Sequence, residues 1–316
     1  MADALGFLSK MGISVRTSWT QAYTAPTYIM PFLSETLTSQ FNRIPNDTLQ
    51  GYGGRLPSEQ GVEGLGGSTE HHFSYNTSGP RLFLTAVMGL DTAGVITITD
   101  TVTDKYYVIE LEKQVKRWRF WPCACNKMTI TGEKDKPCKI VFDWFARNFD
   151  AVDTAFPSLA QPSNTLVMFD DLVFRVADQI DAIAAGDSVG IDSFEIVLDR
   201  ARKADDYESN ATTPKQPLDP VSGGWRVNTL KIKVPRYSTG TFEGWRDANT
   251  ALQADLTFTG PVVTITIQLP ELRVTDGFNQ PIGGPAPLTV EGTFEAYRSV
   301  TGNPMYVGNE MKVTYV

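Results

Sequence analysis

Apolar and β-branched residues fall in short runs along this chain, and several alternate with polar ones. The clearest, VVTITIQL at residues 262–269, has the period of two expected of a half-buried strand. Runs of the same kind predict strands at 27–33, 70–75, 95–99, 106–111, 115–120, 128–131 and 140–145, then at 193–198, 229–234, 254–259, 262–269 and 288–296. Helical periods are few. RLFLTAVM at 81–88 follows a proline and stops at Gly89, as a short helix does. Residues 241–252 place Phe242, Trp245, Ala248 and Leu252 near one face, and 172–185 is a third, weaker helical stretch. TGEKDKP at 131–137 reads as a charged hairpin tip.

The fold class expected is mainly β, a β-sandwich or β-barrel-like domain with short flanking helices. Two halves share one order of elements: strand, a loop of about 30 residues carrying Gly and Pro, strand, short helix, further strands. The preferred account is a diverged duplication, against coincidence between β-rich segments. The divisions are an N-terminal arm or short helix at 1–25, a β domain at 26–150, a connector at 151–192 and a second copy at 193–316.

Composition changes the picture in three ways. A chain of 316 residues with 41% hydrophobic and 20% charged residues is long enough for a sizeable core and unlike a disordered segment. No apolar run reaches the ~18 residues of a membrane helix, and the first residues lack the pattern of a signal peptide, so no membrane partner is expected. The net charge of -8 argues against a groove that grips nucleic acid by its phosphates, yet fits a surface that nucleic acid passes without sticking. Cys123, Cys125 and Cys138 are too few for a four-ligand zinc site unless His71 or His72 joins them, and buried thiols are the favoured reading.

Candidate chemistry is thin. GYGGRLPSEQGVEGLGG lacks the GK[ST] of a phosphate loop, so its glycines read as sites of positive φ and close backbone approach. His71 and His72 are adjacent, so on a strand they point to opposite faces and cannot serve one site. No nucleophile elbow is present, and Asp170–Asp171 and Asp205–Asp206 read as solvated pairs; no enzyme, cofactor or metal is expected. The run KQVKRWRFWP at 113–122 mixes charge and aromatic groups on both faces with Val115 taken inward. Single-strand nucleic acid stacking and a protein interface both use such a mixture, and the acidic balance favours the interface. The first long loop holds Phe41, Ile44, Leu49, Tyr52, Leu56 and Leu65, more apolar content than a solvated linker needs.

The stretch PTYIMPFLSETLTSQFNRIPNDTLQGYGGRLPSEQGVEGLGGSTEHHFSY, with RLFLTAVMG after it and IQLPELRV and GPAPLTVEGTFEAYRS near the end, resembles the tail tube proteins of long-tailed bacteriophages. The resemblance covers most of the chain and rests on small and apolar residues. It implies a β-sandwich with a flanking helix, assembled as rings that stack into a hollow tube for DNA. The long loop is then an assembly loop, reaching an adjacent subunit or ring.

The resemblance also implies a virion location in the tail, with assembly in the host cytoplasm. Implied partners are further copies of the chain, the tape measure protein, the tail terminator and distal tail proteins, with DNA in the lumen. Family rings hold six folds, so a duplicated chain closes with three copies and pseudo-sixfold symmetry; an unduplicated one needs six. The candidate contact residues are Phe41, Arg55, Leu56 and Leu65 on the loop, and Trp118 and Arg119 on the aromatic run. The rivals are a tail-completion ring or capsid-decorating protein, and a ligand-binding or hydrolytic β-sandwich.

Overall fold

Alternating side-chain burial organises this chain into long antiparallel strands. The computed structural model describes residues 8–44, 59–76, 80–100, 105–162, 165–203, 207–208, 216–235, 241–278, 289–299 and 309–316. The first half runs β1 (Lys10–Arg16), β2 (Tyr28–Ile29), β3 (Ser34–Glu35), β4 (Thr38–Ile44), β5 (Glu59–His72), α1 (Pro80–Met88), β6 (Gly89–Thr92), β7 (Val95–Ile98), β8 (Tyr106–Glu112), β9 (Arg117–Glu133) and β10 (Lys139–Val152). Pairing sets these side by side as β3 and β4, then β5, β10, β9, β8 and β1, all antiparallel.

The second half holds β11 (Leu172–Asp178), β12 (Ser193–Asp199), β13 (Arg202–Lys203), β14 (Tyr207–Glu208), β15 (Gln216–Pro217), β16 (Val221–Ser222), β17 (Val227–Val234), α2 (Thr241–Asp247), β18 (Leu252–Thr259), β19 (Thr264–Gly277), β20 (Val290–Ala296) and β21 (Lys312–Tyr315). Its sheet runs β12, β17, β20, β19, β18, β11. Two seams join the halves: β12 lies along β9 from Ser193↔Glu133 to Asp199↔Lys127, and β21 pairs with β7. The architecture is mainly β with large antiparallel sheets and two short helices, a β-sandwich-like fold as the sequence led us to expect.

Residues 172–185, expected as helix, are instead strand over β11. Phe174 and Val176 are buried while Val173 before them is exposed and Arg175 between them half-buried, and seven consecutive pairs with β18 outweigh the weak helical period. The proposed arm at 1–25 contains β1, paired over seven residues with β8. The expected strands at 115–120 and 128–131 are one strand, β9, which continues through Pro122. There the pairing with β8 shifts between Tyr107 and Ile109, and the bulge tolerates a residue with no N–H to give the ladder. Val115, taken inward from sequence, sits in the β8–β9 turn and is 69% exposed.

The expected long loops are largely hairpins. β4 pairs with β5, and β13–β16 and β14–β15 form the arms of a second excursion. The glycines earn their place at the base of the first. Gly67 has φ +146, and a Cβ there would press into the Thr36 carbonyl; one on Gly66 would press into that of Trp144. One core runs through both halves. Phe83 meets Trp144 at 4.6 Å and Phe142 and Tyr107 at 5.3 Å between ring centroids on the first side, and Phe258 touches Phe73 at 6.0 Å and Phe194 at 5.9 Å across the middle.

Candidate functional site

The basic-aromatic run at the start of β9 is held by its own chain. Arg119 makes a two-pronged ion pair with Asp150 on β10 (Nε to Oδ1, 2.5 Å), which keeps its guanidinium above the ordinary value. The same guanidinium lies 4.2 Å from the centroid of the Tyr23 ring. Tyr23 donates its hydroxyl to Glu110 at 2.5 Å, and buried Glu110 meets Arg117 at 3.1 Å. Trp118 packs edge-on to Phe149 at 5.5 Å and carries the Lys113 ammonium 3.8 Å from its centroid. Trp118 and Arg119 therefore sit on one segment, each partly exposed, and both are held by contacts within the chain.

The first hairpin carries the other expected contact residues. Phe41 lies on β4, opposite Glu63 in the ladder. Arg55 and Leu56 lie outside the described residues. Leu65 corrects the expectation of an apolar loop awaiting a neighbour: it is 6% exposed and belongs to the core. Strand alternation turns it inward, since β5 continues well beyond its expected start.

A junction that sequence reasoning missed lies at the end of β12. Arg200 is buried and donates to three main-chain carbonyls: Nε to Val87 (2.6 Å), Nη2 to Met88 (2.7 Å) and Nη1 to Thr99 (2.6 Å). Its guanidinium thus closes the C-terminal end of α1, where helix carbonyls lack partners. Burial lowers its pKa to about 9. Beside it opens a cleft of about 980 Å³ lined by Tyr106, Arg202, Asp219, Trp225, Arg226 and Glu310. Arg226 bonds Glu310 at 2.8 Å and Asp100 at 3.2 Å, and the Tyr106 hydroxyl donates to Asp219 at 2.6 Å. The indole of Trp225 is 94% exposed. A lone Arg after a strand gives no sequence signal, whereas an exposed Trp beside two glycines was readable.

The two histidines point to opposite faces, as adjacent strand residues must. His71 is fully buried, and burial pulls its pKa down to about 4; His72 is half-buried. All three cysteines are free and buried, and burial pushes each thiol upward, that of Cys138 to about 12. Among the described residues, no three His, Cys, Asp or Glu side chains are grouped to hold a metal ion, and no helix is long and apolar enough to cross a membrane.

Comparison with known proteins points to a structural family. A family described as phage tail tube protein matches residues 6–296. Among curated proteins, none matches the chain. The match runs through every described helix and strand except β21, so it covers nearly the whole fold. The chain belongs to the phage tail tube proteins, structural components of the phage tail and not enzymes.

Proposed function

We propose that the chain polymerises as stacked rings into the hollow tube through which phage DNA is delivered. The family match over residues 6–296 carries this reading. The acidic balance supports it, because a negatively charged bore repels DNA at long range and lets it slide. Phe41 on the β4–β5 hairpin, together with Arg55 and Leu56, and Trp118 and Arg119 on β9, make contacts between subunits or rings. Leu65 supports that hairpin from the core. The ring holds three chains with pseudo-sixfold symmetry, or six. Tape measure, terminator and distal tail proteins meet the tube inside and at its ends, and assembly takes place in the host cytoplasm.

Electron microscopy of the concentrated purified protein tests the proposal. Stacked rings or tubes are expected. Rings that never stack would favour a tail-completion protein, and monomers alone at every concentration would count against assembly as the function.

A further inference from the structure

The two halves repeat in register as well as in order. Met11↔Leu111 in the first half answers to Leu172↔Phe258 in the second, Ser34↔Glu70 to Glu195↔Lys231, and Thr38↔Gly66 to Asp199↔Val227. For β1, β3, β4 and β5 the shift is constant at 161 residues (172 less 11, 195 less 34, 227 less 66). The starts of α1 and α2, Pro80 and Thr241, differ by the same amount. After the helices the first half alone carries the β6–β7 hairpin, and the shift falls to 147: Glu112↔Arg117 answers to Thr259↔Thr264.

Finer details recur with that shift. Both turns have four residues and one closing bond, Lys113 N–H to Lys116 O and Gly260 N–H to Val263 O, each 3.1 Å. Both expose a valine at the tip, Val115 and Val262, the latter 88% exposed. Both following strands also bulge near a proline, Pro122 in β9 and Pro270 in β19, but the bulges lie opposite Tyr107–Ile109 and Leu252–Ala254, two residues out of step with the shift. Matching core positions are filled alike: Ile13 and Phe174, Ile109 and Leu256, Phe120 and Ile267, all buried. Unrelated β segments share an order of strands by chance, but not the register, the turn and its exposed valine together.

The seam of β12 on β9 is therefore a contact between two copies of one fold, and its counterpart is incomplete within one chain. Moved back by 161, β12 becomes residues 32–38; moved on by 147, the stretch of β9 at 127–133 becomes 274–280. Among the described residues, no strand pairs with β3 on the side away from β5, and none pairs with β19 on the β18 side beyond Leu272. There the Gly277 carbonyl accepts from Arg246 at 3.1 Å. Phe194 at the internal seam is buried, with its ring against Gly132, whereas its counterpart Leu33 is 42% exposed.

We propose that the chain is a tandem pair of one tube fold, and that residues 35–38 of one chain pair antiparallel with residues 274–277 of the next, reproducing between chains the β12–β9 seam within each. The partner is a second copy of this chain, and its sheet edge covers Leu33. This rests on the tube reading: with six folds per ring, three chains close it.

The seam fixes one pair to test. Val197↔Thr129 at the internal seam becomes Thr36 of one chain opposite Asp276 of the next, and both are exposed. The full-length Thr36→Cys/Asp276→Cys variant is assembled, treated with a mild thiol oxidant and run on a non-reducing gel beside electron micrographs of the same sample. The native thiols are buried and leave the background low. A ladder of covalent monomer, dimer and trimer that ends at three is expected, while Val197→Cys/Thr129→Cys closes within one chain. Rings without cross-linked chains would overturn the pairing and leave the tube reading standing. A ladder that ends at six would overturn closure by three. Neither rings nor cross-links, in wild type as in the variant, would remove the tube reading and this inference with it.

Discussion

His71 Nδ1 donates a hydrogen bond to the Pro31 carbonyl oxygen at 2.7 Å, inside a core where its ring also stands edge-on to Phe83. Burial holds its folded pKa near 4, below the usual 6.5. A His whose pKa is lowered by folding is bound by more protons in the unfolded state, so stability falls as pH drops from about 6.5 to 4. The loss is about 3 kcal/mol. Denaturant midpoints at pH 7 and pH 4 measure it, and His71→Leu should flatten the difference by about that amount. An unchanged pH dependence in the variant would locate the acid sensitivity elsewhere.

Arg200→Ala should destabilise the monomer by roughly 3 kcal/mol, because the buried Val87 carbonyl loses its donor while those of Met88 and Thr99 each lose one of theirs, keeping Thr99 N–H and Arg226 respectively. Arg200→Lys should recover little, since one ammonium cannot replace a planar fork that serves three carbonyls. Chemical denaturation of the two variants decides it; equal stability of Lys and wild type would mean charge alone suffices.

Gly67→Ala and Gly66→Ala should each cost more than about 2 kcal/mol, because a Cβ meets a backbone carbonyl in both cases. Gly64→Ala is the control, with its nearest atom, the Gln40 carbonyl oxygen, 3.7 Å away. Melting temperatures of the three purified proteins read the contrast directly.

Val115→Asp and Val262→Asp replace exposed tips of matching hairpins. Each should leave monomer stability within about 0.5 kcal/mol, as surface substitutions do, and reduce tube formation. Sedimentation of assembled material separates the two effects, and full assembly of the double variant would remove these tips from the interface.

Leu56→Asp should leave the monomer folded and block polymerisation. Circular dichroism with the same sedimentation assay checks it, and loss of folding would assign Leu56 to the core instead.

Much of the fold was legible because strand burial leaves a local trace. Runs such as VVTITIQL and KIVFDW announced their strands, and Gly89 marked the end of α1 where the helix stops. The misreadings have nonlocal causes. LVFRVAD carries both periods weakly, and only its partner β18 decides for strand. The strands expected at 115–120 and 128–131 were read apart because a bulge opposite Tyr107 and Ile109, which carries the strand through Pro122, is invisible before β8 is placed. Leu65 looked exposed because its segment was read as a loop, whereas the pairing of β5 with β10 and β4 buries it. Of the candidate contacts, the Trp118–Arg119 segment was found by composition, but its ties to Asp150, Tyr23 and Phe149 come from strands far away in sequence.

The β6–β7 hairpin occurs in the first half only, and β21 from the far end of the chain is laid against it. Under the proposed repeat, any outward feature of this hairpin appears at every other position around the ring. A tube of single-fold subunits must accept each surface change at all positions at once. Two folds on one chain are released from that constraint: one can hold the shared geometry while its sister drifts toward a separate task.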